Sequence, residues 1–172
     1  MVKPVIFQIV GYQNSGKTTI SLKIIEYLTE DGLKIATIKH HGHGGKPDLL
    51  ETKDSGRHIS AGAAVSLVEG GGRMLLQAED DQWSLSEEIN LLSFFNPDAI
   101  VIEGHKHEKF PKAVILRDEK DLPLVEKLIN VKVILYRDGN LLNFLKHSSI
   151  PVFDAGDIKG YHWIANYIKQ HQ

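Results

Sequence analysis

The chain has 172 residues, of which 42% are hydrophobic, a formal net charge of -2 and no cysteine. Such a length and apolar content suit one compact domain over residues 1–172, while the mixed charge excludes the chain-wide basic footprint of a nucleic-acid binder. The missing cysteine excludes a disulfide framework, a zinc thiolate site and a thiol nucleophile. No stretch reaches the roughly 18 apolar residues of a membrane span, and the start lacks a signal-peptide pattern, so a cytoplasmic protein is expected.

Residues 4–10 are a short apolar run rich in β-branched side chains. Residues 17–30 then place Ile20, Ile24, Tyr27 and Leu28 on one helical face, with Asp31-Gly32 as the stop. The order is strand, glycine loop, helix. Residues 33–39 read as a second strand, and a polar His/Gly segment at 40–45 reads as a loop. A short helix is expected over 53–63, followed by a hairpin whose strands flank Gly70-Gly71-Gly72. Residues 84–95 are helical in period, with Ser84 and Glu87 in capping-box spacing.

Residues 99–102 form a buried strand that ends on Glu103-Gly104. Strands at 112–116 and 131–136 follow, with helices near 122–128, 141–147 and 161–170. Alternating strands and helices predict an α/β fold, a mainly parallel sheet with helices on both faces and the hairpin as an insertion. Trp83 and Trp163 are read as packing residues.

Gly11-x-x-x-x-Gly16-Lys17-Thr18 is the full P-loop pattern, and it lies between a buried strand and an amphipathic helix, where phosphate binding requires it. Glycines let the backbone curl so that amides from about Asn14 and Ser15 through Thr18 converge on phosphate oxygens, aided by the helix dipole. Lys17 is expected to neutralise β/γ-phosphate charge and the Thr18 hydroxyl to ligate Mg²⁺.

A second carboxylate is expected at the end of a neighbouring strand, and Glu103 stands there; with Lys17 it forms the expected catalytic pair. Asp48 and Asp54 are the alternative Mg²⁺ carboxylates, Asp54 being equally well placed as a helix cap. His40, His41 and His43 read as a polar loop, with a nickel or zinc site as the other reading. Lys39, His40, Lys53, Arg57, Lys106 and Lys112 are candidates for a basic rim around an anionic ligand. Arg137-Asp138, at the end of a late strand, is a candidate base-reading position.

GYQNSGKTT, IKHHGH, KDSGRHISAGA and VIEGHKHEKFPKAVILR taken together resemble the molybdopterin-guanine dinucleotide biosynthesis protein B (MobB) family, over about residues 5–137. The resemblance implies a homodimeric, SIMIBI-like P-loop protein that binds GTP and Mg²⁺ and hydrolyses GTP slowly. It further implies an accessory role beside the guanylyltransferase that attaches GMP to molybdopterin, with molybdopterin held by this chain or only by that partner. Carried over by motif, Gly16, Lys17, Thr18 and Thr19 hold phosphates and Mg²⁺, Glu103 takes the Walker B position, and Lys53, Asp54 and Arg57 line the same cleft. The chain departs from the family in its GGKPDLLETKDS stretch and in His105. It carries no Asn-Lys-x-Asp guanine signature, so guanine over adenine rests on the resemblance. A metal-insertion GTPase and a small-molecule kinase are the competing functions.

Overall fold

The computed structural model describes residues 3–40 and 54–172. In chain order the elements are β1 (Val5–Gly11), α1 (Lys17–Glu30), β2 (Ile35–Lys39), α2 (Asp54–Ser60), β3 (Val65–Gly70), β4 (Arg73–Ala78) and α3 (Leu85–Ser93). They continue as β5 (Ala99–Glu103), β6 (Lys112–Leu116), α4 (Pro123–Lys127), β7 (Val131–Tyr136), α5 (Leu142–Leu145), β8 (Val152–Asp154) and α6 (Ile158–Gln170). By contacts the chain divides into two compact units, one within Met1–His40 and Ile89–Gln172, the other within His41–Glu88.

The first unit is built on a six-stranded sheet in the order β2-β5-β1-β6-β7-β8, with every neighbouring pair parallel. Its central strands are apolar apart from Gln8 in β1, Glu103 at the end of β5 and Lys112 at the start of β6, because both faces are covered, the pattern that parallel sheets require. On one face Phe7, Ile9 and Val101 pack with Ile20, Ile24 and Leu28 of α1 and Ile164 and Ile168 of α6. On the other, Val10, Val114 and Ile134 pack with Leu124 of α4 and Leu145 of α5. Each fully buried aliphatic side chain contributes about 1.5–3 kcal/mol, so the loops at the strand ends stand on a rigid base.

The expected α/β sheet with helices on both faces is what the structure shows, and the differences are local. The second strand opens at Ile35 and not at Leu33, because Gly32 and Leu33 close α1: their amides donate to the Thr29 and Leu28 carbonyls, with Gly32 at φ 85°. This is the glycine-terminated helix end that satisfies orphan carbonyls. β8 has only three residues, too few to show a period, and is held by pairing with β7. α6 starts at Ile158, three residues before the expected position, because the Asp157 carboxylate accepts from the Lys159 amide and caps it.

In the second unit β3 and β4 form the expected antiparallel hairpin. Gly71 and Gly72 supply its two-residue turn with φ 58° and 79°, values that suit glycine and match the strand twist. Trp163 packs against the core as expected. Trp83 does not: it is 44% exposed, since it lies before the first turn of α3 and not on that helix's inward stripe.

Candidate functional site

β1 is the strand from which the chain turns to opposite sides: β2 and β5 lie on one side of it and β6 on the other. A crevice at such a reversal, beyond the carboxyl ends of the strands, is where open parallel sheets bind ligands. The residues that end the strands there are Lys39, Glu103, Gly11, Arg117 just past β6 and Arg137 just past β7.

The turn from β1 into α1 is shaped by three residues. An added Cβ on Gly11 would stand 2.6 Å from Ser15 Oγ and 2.9 Å from the Ile115 carbonyl oxygen, so the loop folds down onto the strand only with glycine here. Asn14 and Gly16 hold left-handed conformations at φ 59° and 90°. Gly16 is the N-cap of α1 and offers no side chain to the first-turn amides, which have no acceptor within the helix. Lys17, Thr18 and Thr19 form that first turn. One loop amide departs from the expected convergence: the Ser15 N–H donates at 3.3 Å to the Tyr12 carbonyl, as turn geometry dictates.

Lys17 arches back over the loop, its ammonium donating to the carbonyls of Gly11 at 3.2 Å and Tyr12 at 2.8 Å. Burial lowers its pKa from the ordinary lysine value; the Glu103 carboxylate opposes this, while Arg117, Lys106 and Lys39 press it further down. Lys17 thus shares its local field with three further cations and with the Glu103 carboxylate, an arrangement in which an incoming polyanion is favoured.

Glu103 leaves the sheet at the end of β5, directly beside β1. Its Oε2 accepts from the Thr18 hydroxyl at 2.9 Å, joining the carboxylate of the predicted strand end to the hydroxyl of the predicted loop. Lys39, its register partner on β2, places Nζ 3.3 Å from Thr18 Oγ1 and 4.0 Å from Glu103 Oε2. A hydroxyl and a carboxylate from separate elements, adjacent to the uncapped helix start, are hard oxygen donors that fit Mg²⁺.

Two arginines hold the loop from outside. Arg117 donates from Nη1 to the Gln13 carbonyl at 3.1 Å, while Nε and Nη2 fork onto the buried Asp121 carboxylate at 2.8 Å each. The Arg117 guanidinium holds Asp121 below the usual carboxylate range. Arg137 donates from Nε to the Ser15 carbonyl at 2.8 Å, and a Cβ added to Gly16 would stand 2.0 Å from its Nη2. Arg137, a candidate base-reading position, thus lies against the loop itself. Arg117 ends the VIEGHKHEKFPKAVILR stretch but carries no role in the sequence analysis; its position one residue past a buried strand was the available signal.

The segment after Glu103 is fixed from below. Gln8, buried in β1, donates from Nε2 to the carbonyls of Gly104 at 3.2 Å and His105 at 2.8 Å. Lys106 extends its ammonium over the Tyr12 ring, 4.9 Å from the centroid. Lys112 is a correction to the expected basic rim: it is 0% exposed, and its ammonium donates to the Lys106 and Glu108 carbonyls. It braces the loop and is not presented to a ligand. The rings of His40 and His105 meet at 4.5 Å.

Asp48, Lys53, His41 and His43 lie outside the described residues. Asp54 opens α2 and Arg57 lies on it, both in the second unit. Among the described residues no cluster of three or more His, Cys, Asp or Glu side chains is placed to hold a metal, and no helix is long and apolar enough to cross a membrane.

The strand, glycine turn, helix and adjacent acidic strand define a P-loop nucleotide-binding fold. The family described as "Molybdopterin guanine dinucleotide synthesis protein B" matches residues 6–148, and the chain belongs to this MobB family. It is 40% identical, over 98% of its length and 96% of the relative's, to the "Probable molybdopterin-guanine dinucleotide biosynthesis adapter protein" of Bacillus subtilis (strain 168). The crystal structure of Bacillus subtilis MobB superposes with a TM-score of 0.81 at 40% identity, covering 94% of this chain and 96% of that one. A MobB homologue from Bacillus stearothermophilus superposes at 0.74 with 27% identity, covering 96% and 98% respectively.

Proposed function

We propose that the chain is a GTP-binding adapter in the synthesis of the guanine dinucleotide form of the molybdenum cofactor, acting in the cytoplasm beside the guanylyltransferase. The observation that carries the nucleotide reading is the pairing of Lys17, folded over the loop carbonyls, with Thr18 and Glu103 joined at 2.9 Å. Lys17 swings from its two carbonyls onto the β/γ-phosphates, and the amides at the start of α1 take phosphate oxygens. Thr18 and Glu103 would hold Mg²⁺, which would neutralise phosphate charge. Thr19, beside Thr18 in the first turn of α1, adds a second hydroxyl to the phosphate side of the loop. Hydrolysis at such a site stays slow until a second protein completes it. The adapter role is supported by the name of the Bacillus subtilis relative, 40% identical over nearly the whole chain.

Titration with fluorescent GTP and ATP analogues, with and without Mg²⁺, tests the reading. Selective, Mg²⁺-dependent GTP binding, together with faster guanine dinucleotide formation when the chain is added to the guanylyltransferase, is expected. Preference for ATP, or no effect on the partner reaction, would overturn it.

A homodimer belongs to the same proposal. Val65, Leu67, Met74 and Leu76 share one face of the β3–β4 hairpin by register and are all exposed, from 39% to 56%. An apolar face of this kind marks an interaction surface, and a second copy offers an identical one that closes about a twofold axis. Light scattering is expected to give a dimer for the wild type and a monomer for the Leu67→Lys/Leu76→Lys variant. A monomeric wild type would remove the dimer from the proposal.

A further inference from the structure

Lys39 occupies a place that the phosphate loop and its acidic strand do not account for. It is the last residue of β2, in register with Glu103, the last residue of β5. Register partners on neighbouring parallel strands project to the same side of the sheet, so a cation and a carboxylate leave the crevice floor together. The ammonium reaches past the carboxylate to the Thr18 hydroxyl, at 3.3 Å, and remains 4.0 Å from Glu103 Oε2. Those two oxygens are the pair that suits a divalent cation.

Resting on the nucleotide-binding reading above, we propose that Lys39 is a built-in counter-cation for the metal position: its ammonium neutralises the Thr18–Glu103 pair when Mg²⁺ is absent and yields that place when Mg²⁺ arrives. The two partners are unequal in the way this exchange needs. The Glu103 side chain is 12% exposed and set on the sheet, whereas that of Lys39 is 66% exposed. Removing the lysine from the carboxylate returns an ammonium to water at little cost, whereas leaving the carboxylate bare beside phosphates is costly. Lysine also suits the task chemically, being a compact charge on a flexible stem with freely rotating donors, where arginine would fix a planar two-point contact. An ordinary edge-strand ion pair would have no reason to extend to the threonine that follows the P-loop lysine.

The proposal makes Lys39 and Mg²⁺ alternatives, which a binding experiment separates. A fluorescent GTP analogue is titrated into wild type, Lys39→Met, Lys39→Arg, Glu103→Gln and the Lys39→Met/Glu103→Gln pair, in EDTA and in saturating Mg²⁺. Lys39→Met is expected to lose about tenfold in affinity in EDTA, the scale of one charge-assisted contact, and less than twofold in Mg²⁺. Lys39→Arg should retain most of the EDTA affinity, and the Glu103→Gln background should abolish most of the Lys39→Met effect. Equal losses in both media would make Lys39 a plain phosphate ligand and overturn the exchange.

A second arm does not need nucleotide. Mn²⁺ binding to the nucleotide-free protein, followed by electron paramagnetic resonance, is expected to tighten several-fold in Lys39→Met because the competing cation is gone. Unchanged or weaker Mn²⁺ binding overturns the proposal. If wild type takes no nucleotide, the nucleotide reading fails and the Mn²⁺ comparison alone decides the role of Lys39.

Discussion

Gly16→Ala is expected to cut triphosphate affinity by at least about 100-fold while leaving the sheet folded. Two costs act on the same residue. The backbone at Gly16 stands at φ 90°, a left-handed value that costs an L side chain about 1–2 kcal/mol. The new Cβ would also stand 2.0 Å from Arg137 Nη2 and 2.9 Å from Cζ, well inside van der Waals contact. Arg137 is long and exposed and can retreat, but only by releasing the Ser15 carbonyl that its Nε holds at 2.8 Å. The loop then loses both its conformation and one of its two outside supports. Since the buried faces of β1, β5 and β6 are untouched, the melting temperature should fall by about 5–10 °C without loss of cooperativity. Isothermal titration of the variant measures the first effect and calorimetric melting the second. Arg137→Ala combined with Gly16→Ala should recover part of the affinity by removing the overlap and leaving only the backbone cost. Wild-type affinity in Gly16→Ala would show that the loop adopts another conformation when it binds.

That prediction joins a residue that the sequence announced to one that it did not. The P-loop spacing and its two flanking elements were legible because each is local: a buried run, a glycine pattern and a helical stripe within 26 residues of one another, from Val5 to Glu30. Glu103 was legible for the same reason, as the polar end of an apolar strand. The supports were not. Arg117 and Arg137 reach the loop across sequence separations of 104 and 122 residues, so nothing in local periodicity connects them to it. Lys112 was misread because a lysine at the start of an apolar strand usually faces water; here the loop from Lys106 to Glu108 closes over it and supplies carbonyl acceptors. Its pKa is lowered by burial and partly restored by Glu108, as expected for an ammonium held by carbonyls away from water. β8 shows the same limit for the fold, since three residues with a proline before them become a strand only because β7 offers a free edge.

Lys17→Ala is the variant with the largest effect on binding, with triphosphate affinity expected to fall about 1,000-fold or more. The lysine is the one side chain of the loop whose charge can reach two phosphate groups, and a charge-assisted contact to each contributes about 1.5–3 kcal/mol. Its loss should leave the fold intact. The Gly11 and Tyr12 carbonyls that it caps, at 3.2 and 2.8 Å, belong to a half-exposed loop where water replaces the ammonium. Melting temperature is therefore expected to stay within a few degrees of wild type, which separates this variant from Gly16→Ala. The same group sets the alkaline limit of binding in the wild type. Burial and the neighbouring cations lower the Lys17 pKa, so its charge begins to be lost at lower pH than that of an ordinary lysine, whose value is 10.5. Bound phosphates favour the charged form and raise that pKa again, so binding above neutrality takes up a fraction of a proton. Affinity measured from pH 7 upward should decline before ordinary lysine titration begins, and the decline should disappear in Lys17→Ala. Full nucleotide affinity in that variant would remove the phosphate loop from the function of this chain.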